Sequence, residues 1–361
     1  MGFFGRKRAP SVPHPRKEPR FDGPLTLERL EQIFQDCVDF TKRPVSLGEG
    51  GACTLTLCYL SGMVKMERVS DYVLRPLAQD EALARCGTPR QAMDRMKDGA
   101  LYNLSAEERT RLDAAVFDLV NGCCLLLFPW ESSVLSLNVG TEEKRSISSP
   151  SNETVLKGSR DAFVESLRTN TSIVRRHLKA PELRIREQVV GRQSVTSVDI
   201  LYIEGLTNPH LVEQVAAQLA DIDIDAVLTT GNIEEYIVPA ARTAFPLVQY
   251  TERSDRFCAG LAEGRVGILI DGLPLGYLAP GVLGDFLQAP QDKSESWLLA
   301  SALTLLRYLC MLGTLLLPAL YVAMVTFHQE MIPTRLALSI IAAKQDVPFR
   351  SVFEVIVLLL A

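Results

Sequence analysis

The sequence lacks the motifs from which most enzyme and metal sites are built. Its four histidines lie far apart, and none has a second ligand at metal-binding spacing. The eight cysteines include no C-x-x-C pair. There is no G-x-S-x-G nucleophile turn, no phosphate-binding loop and no dinucleotide-binding glycine pattern. We therefore expect no catalytic residues, no metal site and no cofactor, and we expect a protein that is not an enzyme.

Basic residues do not outnumber acidic ones in this chain, with 38 Lys and Arg against 43 Asp and Glu. The net charge is −5 and charged residues make up 22% of the chain, with no recurring basic face, which argues against nucleic-acid binding. Residues 1–24 are basic and broken by prolines, so they are predicted to form a disordered tail, either a solvated leader or a segment attracted to an anionic membrane surface. No apolar stretch follows before Leu25, so a cleavable export signal is not predicted, and the cysteines are typical of reduced cytosolic thiols.

One long uncharged run interrupts this otherwise soluble composition. Residues 308–327 carry no charge, and a helix of that length rises about 30 Å, which matches the hydrocarbon core of a bilayer. The run holds Pro318 and is flanked by Arg307 on one side and by Glu330 and Pro333 on the other. These four residues are our candidate membrane or pore residues. A proline in a membrane helix frees a carbonyl that must find a partner, which is compatible with either a structural kink or a packed, pore-facing site.

The preceding residues contain an internal duplication. Thr54 to Met63 resembles Val198 to Leu206, each an apolar strand that ends in Tyr-x-x-Gly before a helical pattern. Gly122 to Phe128 resembles Gly264 to Ile270 at nearly the same offset, each a glycine before a short apolar strand. Two pairs at one offset predict two duplicated units.

Each unit is expected to be a small α/β fold. Asn208 and Pro209 supply a cap and a favourable first residue for a predicted helix, and residues 233–237 restart a helical pattern. Turn-rich residues 148–152 lie between the units, and a connecting helix is predicted over 163–178. The fold class is thus α/β, with two small duplicated units that form a soluble head, followed by a membrane-embedded helix. The predicted segments are a tail at 1–24, a first unit at 25–150, a connecting segment at 151–190, a second unit at 191–296 and a membrane region at 297–361.

Charged residues and turns in the second unit are candidate contact residues. Residues 251–256 read Thr-Glu-Arg-Ser-Asp-Arg, which fits either a solvated helix start or a salt-bridged contact between the two units or between subunits, with Arg253 and Asp255 as its candidates. Asp271, Gly272 and Pro274 form a turn that ends a strand. The candidate interface or structural residues are Glu252, Arg253, Asp255, Arg265, Asp271, Gly272 and Pro274.

Taken in order, these stretches resemble the A-subunit family of GerA-type spore germinant receptors, in which the stage-V sporulation paralogue is also grouped. The resemblance rests on the following stretches: 157–170 (KGSRDAFVESLRTN), 202–206 (YIEGL), 245–246 (FP), 251–256 (TERSDR), 263–266 (EGRV), 271–274 (DGLP), 306–309 (LRYL), 317–323 (LPALYVA) and 327–334 (FHQEMIPT). It covers about 155–361, with weaker similarity from about residue 25. Family members usually carry a proline where this chain has Arg253-Ser254-Asp255. They also continue through further membrane helices, so the apolar end at 352–361 is expected to mark a fragment or a prematurely ended reading frame.

The resemblance implies an integral protein of the spore inner membrane with a cytoplasmic N-terminal head. It implies partners, namely a transporter-like B subunit that recognises the nutrient and a lipoprotein C subunit, and a homo-oligomer of A subunits whose membrane part conducts ions when the germinant binds. Two alternatives stay open: a membrane-tethered module that binds a small molecule in the cleft between its two units, and the non-receptor paralogue that amplifies germination.

Overall fold

Two five-stranded antiparallel sheets follow one another along the chain. The computed structural model describes residues 21–47, 54–80, 83, 86, 88–101, 106–129, 131–140, 161–226, 246–289, 292, 296–344 and 351–360. Most of the predicted tail, the turn-rich stretch at 148–152 and the helical pattern at 233–237 lie outside these residues. The chain divides into a head that ends at Val282 and a C-terminal unit that begins at Leu283.

The first sheet has the strand order β1-β2-β4-β5-β3. Its outer strand β1 carries Lys42, Arg43 and Pro44, residue types that discourage pairing with a further strand. Alternate residues of the central strands face two hydrophobic clusters, one on each side of the sheet, and helices cover both. The strands are β1 (Phe40–Ser46), β2 (Thr54–Leu60), β3 (Ala106–Arg109), β4 (Cys123–Leu127) and β5 (Val134–Asn138). The helices are α1 (Leu27–Ile33), α2 (Met66–Val69), α3 (Arg75–Gln79), α4 (Pro89–Arg95) and α5 (Leu112–Val120), with π-helical turns at Ser70–Leu74 and Met96–Ala100.

The second sheet repeats the first, with the order β6-β7-β9-β10-β8. Asn208 caps α7 by accepting a hydrogen bond from the amide of His210 at 3.0 Å, as the sequence predicts. Residues 221–225 form no strand and follow the end of α7 as a turn. The strands are β6 (Leu183–Val190), β7 (Thr196–Ile203), β8 (Gln249–Thr251), β9 (Val266–Ile270) and β10 (Gly276–Ala279), and the helices are α6 (Leu167–His177), α7 (Pro209–Ala220) and α8 (Ser254–Ala262).

Glycines at matching positions explain why the duplication is visible in the sequence. Gly62 and Gly205 close the two Tyr-x-x-Gly turns at φ +83° and +79°, and Gly122 and Gly264 precede β4 and β9, both at φ +88°. Other residues rarely adopt this left-handed backbone. Together with the identical strand order, these turns confirm the predicted α/β head built from two duplicated units.

Two boundaries differ from the expected ones. The second sheet begins at Leu183, within the segment that was expected only to connect the units, and the connecting helix begins later than predicted, since α6 starts at Leu167 rather than at 163. Phe163 and Val164 fit the apolar pattern of the helix, but the amide of Phe163 donates to the carbonyl of Glu252 and Ser166 is an extended N-cap, so both residues lie in the segment before the helix.

The C-terminal unit is helical in the described residues. Helix α10 (Trp297–Phe327) starts well before the expected residue 308, because residues 297–307 are almost as apolar as the run that follows. It is long and apolar enough to cross a membrane. The remaining helices are α9 (Leu283–Leu287), α11 (Thr334–Lys344) and α12 (Ser351–Leu360), with a 3₁₀ turn at Gln329–Met331.

Candidate functional site

Several candidate residues of the second unit contact the segment that leads into helix α6. The amide of Phe163 donates to the carbonyl of Glu252 at 2.8 Å, and the amide of Gly272 donates to the carbonyl of Glu165 at 2.8 Å. The Asp271 carboxylate accepts the amide of Leu167, the first residue of α6, at 3.0 Å. These contacts cap the helix and hold its start against the second sheet.

Arg253 and Asp255 pair with each other in this region. The Arg253 guanidinium donates to the two carboxylate oxygens at 3.0 and 2.6 Å. The pair lies at the start of α8, and Arg253 also forms a bridge with Ala162. Both residues belong to the second unit, so this ion pair lies within that unit, and a contact with the first unit stays a prediction. A role between subunits stays a prediction.

Arg265 and Pro274 support the same unit from nearby positions. Arg265 donates to Gln249 at 3.2 Å and to Glu263 at 2.9 Å, and so ties β9 to the outer strand β8. Pro274 lies half-buried in the turn between β9 and β10. Both residues hold strands and turns of the second sheet.

The far end of α6 carries the central contact between the two α/β units. Arg175 donates from Nε to Asp39 Oδ2 at 2.8 Å and from a terminal nitrogen to Asp39 Oδ1 at 3.0 Å. The side chains are 1% and 2% exposed. Burial alone would lower the pKa of Arg175, but the Asp39 carboxylate raises it on balance. This ion pair binds the turn before β1 to the helix of the second unit.

The same turn also contacts the edge of the second sheet. The amide of Val38 donates to the carbonyl of Ile185 at 3.0 Å, and Arg186 pairs with Asp36 at 3.0 Å. Arg184 reaches the carbonyl of Ile33. Backbone and side-chain contacts thus join both units into one head.

A buried carboxylate lies beside this junction. Asp199 on β7 is 0% exposed, and its Oδ2 accepts from Thr171 at 2.9 Å and from Arg168 at 3.4 Å. Its other oxygen has no hydrogen-bond partner among the described residues. Burial raises the pKa of Asp199 to about 6, against the opposing effects of Arg168 and Thr171. Arg168, on α6, also pairs with Glu187 at 2.7 Å. Its guanidinium therefore contacts carboxylates on two strands, Asp199 on β7 and Glu187 on β6.

A cleft of about 440 Å³ opens between the two units. One wall is α5, which presents Phe117 and Asp113, and the other is the loop that carries Lys179. The ammonium of Lys179 donates to Asn121 at 2.9 Å across the gap. The volume falls in the range of small-molecule pockets, and the lining combines apolar surface with charges of both signs.

Serine and histidine meet near α8, but their geometry does not suit nucleophilic catalysis. Ser254 Oγ lies 3.2 Å from His177 Nε2, and the same nitrogen lies 3.6 Å from the Asp161 carboxylate. In a catalytic triad the histidine would use one ring nitrogen for each partner. The Ser254 hydroxyl instead donates to the carbonyl of Asp161 at 3.0 Å, which makes it part of the anchor for the segment before α6.

Thiol chemistry finds no support in the buried cysteines either. Burial raises the pKa of Cys58 and of Cys258 to about 12, and it raises the pKa of Cys124 as well. These thiols stay protonated at neutral pH and fill the core. Among the described residues, no group of acidic, histidine and cysteine side chains could hold a metal ion.

The four candidate membrane residues fall at distinct places in the C-terminal unit. Arg307 lies within α10 and pairs with Asp292 through both guanidinium nitrogens, one of them at 3.0 Å. Pro318 is inside the same helix, Glu330 is in the 3₁₀ turn, and Pro333 precedes α11. Arg307 is therefore not at the entrance of the helix but about ten residues inside it.

The sequence prediction missed Asp39, Arg175 and Asp199. Asp199 interrupts an apolar strand, and Arg175 follows Ile173 and Val174 on a helix with a buried face, so each is a charge at a position where apolar residues are expected. That signal marks a buried polar group, but it does not identify the partner.

Comparison with known proteins places this architecture in a family. The family model of the "Bacillus/Clostridium GerA spore germination protein" matches residues 28–361. The chain is 33% identical to "Uncharacterized membrane protein YfkQ" of Bacillus subtilis (strain 168), over 92% of this chain and 63% of the relative. It is 34% identical to "Spore germination protein KA" of the same organism, over 88% of this chain and 57% of the relative. The chain thus spans less than two thirds of the length of these relatives.

A solved structure agrees with these matches. The crystal structure of the N-terminal domain of the A subunit of the Bacillus megaterium spore germinant receptor GerK3 aligns with a TM-score of 0.58 and 26% identity, and covers 73% of this chain and 99% of that domain. The head therefore has the fold of that domain, and the chain belongs to the GerA family of spore germination proteins.

Proposed function

We propose that this chain is the A-type membrane subunit of a nutrient germinant receptor that triggers bacterial spore germination. The observation that supports this function best is the order of its parts. A head with the fold of the GerK3 A-subunit domain is followed in sequence by a helix fit to span a membrane. A protein of this design connects a water-exposed domain to the bilayer.

The proposed assembly follows from the same family membership. The chain acts with a transporter-like B subunit that recognises the nutrient and with a lipoprotein C subunit, and it associates with further copies of itself. Its site is the spore inner membrane, with the head on the cytoplasmic side. Its membrane part contributes to a germinant-gated ion channel, in which Pro318 interrupts the hydrogen bonding of the helix and Glu330 lies beyond the helix end.

Deletion of the gene tests the receptor function. Spores that lack the chain should lose nutrient-triggered ion release, while germination forced by a non-nutrient surfactant should persist. Complementation with the intact gene is the control. An unchanged response to every nutrient tested would contradict the proposal.

The cleft in the head favours one second candidate, a membrane-tethered module that binds a small molecule. Apolar and charged side chains line it together, which suits a ligand such as an amino acid. Calorimetric titration of the head, residues 21–282, with amino acids and sugars would test this function. Binding that is lost in Phe117→Ala but kept in Tyr250→Ala, an exposed aromatic residue away from the cleft lining, would support it. No heat with any compound would contradict it.

A further inference from the structure

The segment before α10 folds back along that helix. We use the term collar for residues 283–289 together with Asp292. The Arg307 guanidinium donates to the carbonyl of Leu287 at 3.2 Å and pairs with Asp292. A Cβ placed on Gly284 would lie 3.3 Å from the Tyr308 hydroxyl. The collar therefore lies beside Arg307 and Tyr308, and not beside the first turns of α10.

This position divides α10 into two parts. The ten residues before Arg307 rise about 15 Å, and the uncharged residues from Tyr308 to Phe327 rise about 30 Å, which is the thickness of a hydrocarbon core. If the bilayer began at Trp297, the Arg307 and Asp292 charges would lie deep in hydrocarbon, where charged groups are strongly disfavoured. The charge pair and the length of the uncharged run therefore favour a boundary at Arg307.

The collar has apolar side chains at the same level. Leu283 and Phe286 are each about half exposed, as are many apolar residues of α10. Asp292 is buried and bonds to Arg307 and to the amide of Ala289, the latter at 2.9 Å, so its own charge is compensated there. Short apolar segments beside a membrane helix insert at the boundary between headgroups and acyl chains.

We propose that the collar lies on the lipid surface and that its ion pair with Arg307 sets the membrane boundary. Leu283 and Phe286 insert among the upper acyl chains, and residues 297–306 form a stalk outside the hydrocarbon. The proposal commits to lipid as the partner of the collar, and it rests on the membrane association of the chain rather than on its role as a receptor.

Tryptophan fluorescence in vesicles tests this boundary, because the chain has only two tryptophans, Trp130 and Trp297. The full chain with Trp130→Phe reports on position 297. Adding Trp297→Phe and Phe286→Trp reports on the collar, and Leu317→Trp in the same background calibrates the bilayer centre. Each variant is reconstituted in vesicles of phosphatidylcholine and phosphatidylglycerol, brominated either near the headgroup end or near the methyl end of the acyl chains.

The expected pattern has three parts. Position 286 is quenched more strongly by the shallow bromines, position 317 more strongly by the deep bromines, and Trp297 mainly by aqueous iodide. Strong quenching of Trp297 by shallow bromines, with position 286 quenched by deep bromines, would move the boundary to the helix start and overturn the proposal. Full iodide access at position 286 without lipid quenching would overturn it as well.

The ion pair is tested in the same reporter. Asp292→Asn should reduce shallow quenching at position 286 because the collar loses its attachment to Arg307, whereas Asp292→Glu should retain it. Unchanged quenching in Asp292→Asn would show that the pair does not hold the collar on the lipid. Deep quenching at position 317 must persist in both variants, which shows that the span is still inserted.

Discussion

Residues with buried charge in the head gather around helix α6. Arg175 and Asp39 are almost fully shielded, while pairs such as Arg192 with Asp223 are open to solvent. Exposed pairs contribute about 0–1 kcal/mol, whereas removal of one partner from a buried pair costs about 3–5 kcal/mol because the other charge is left uncompensated. The charges that matter for the head are therefore those on this helix and its partners.

Asp199 should make the stability of the head depend on pH. Its folded pKa of about 6 lies above the ordinary value of 3.8, so the folded state binds a proton more tightly than the unfolded state. The stabilising contribution is complete below pH 3.8 and is lost as the pH rises through about 6. The shift corresponds to roughly 3 kcal/mol at 1.36 kcal/mol per pKa unit. Asp199→Asn should remove this dependence, as urea unfolding of the head at several pH values would show.

The comparison is between variants, so that the titration of other carboxylates cancels. The unfolding free energy of Asp199→Asn minus that of the wild type should increase between pH 4 and pH 7. Asp223→Asn, at an exposed position, serves as the control substitution. A constant difference for Asp199→Asn would mean that Asp199 is ionised throughout this range.

At the scale of single elements, helix α6 depends on residues distant in sequence. Its first amide is capped by Asp271, and its start is held by the chain around Glu252 and Gly272. These positions belong to separate sequence motifs that meet only in the folded second unit. All of them contact the start of α6, which gives them a structural role in addition to any role at an interface between subunits.

Asp271→Ala should destabilise the head by about 1 kcal/mol, since an N-terminal amide of α6 loses its acceptor and the helix loses a favourable charge at its positive end. Asp221→Ala is a suitable control, because Asp221 lies at the C-terminal end of α7, where a carboxylate is not favoured. Thermal unfolding should show a lower Tm for the first variant only. Equal effects of the two changes would argue against the capping role.

Substitution of Gly272 tests the contribution of the turn between β9 and β10. The φ of this glycine is +84° and an added Cβ would meet nothing within 4 Å, so any effect of Gly272→Ala comes from the backbone alone. We expect a loss of roughly 1–2 kcal/mol for alanine and a smaller loss for Gly272→Asn, since asparagine tolerates this conformation better. Unfolding midpoints in urea would rank the variants, and equal losses would show that backbone conformation is not the cause.

Helices, strands and turns were predictable from the sequence where residue type and spacing alone determine them. The cap at Asn208, the apolar strand at 266–270 and the two repeated glycine turns followed from residue type and spacing. The starts of α10 and of α6 were not predictable, because apolar residues precede α10 and because Phe163 and Val164 fit the pattern of α6 although they lie before it. The Arg175–Asp39 contact joins residues far apart in sequence, and pattern alone cannot pair them.

For the whole molecule, the question is whether the two α/β units unfold together. The Asp39–Arg175 pair and the hydrogen bond from Val38 to Ile185 join them, and the units have separate hydrophobic clusters. Each sheet has its own helices and core, so neither needs the other to bury its strands. Cooperativity between the units therefore rests on the junction beside α6.

Asp39→Ala should uncouple the two units. The change leaves the Arg175 guanidinium buried without its carboxylate, which should cost about 3–5 kcal/mol and should weaken only the junction, since Asp39 precedes β1 and lies outside both sheets. We expect the wild-type head to unfold in one calorimetric transition and the variant to unfold in two. Arg192→Ala, which breaks an exposed pair, should keep one transition with a change of about 0–1 kcal/mol.

Replacement of both partners separates charge from packing. Asp39→Leu combined with Arg175→Met removes the charges and keeps apolar volume, and such exchanges of buried ion pairs are often neutral or stabilising. If the junction needs only complementary packing, the double variant should regain a single transition. If it stays split into two transitions although its stability is restored, the directional hydrogen bonds between Arg175 and Asp39 are what make the two units unfold as one.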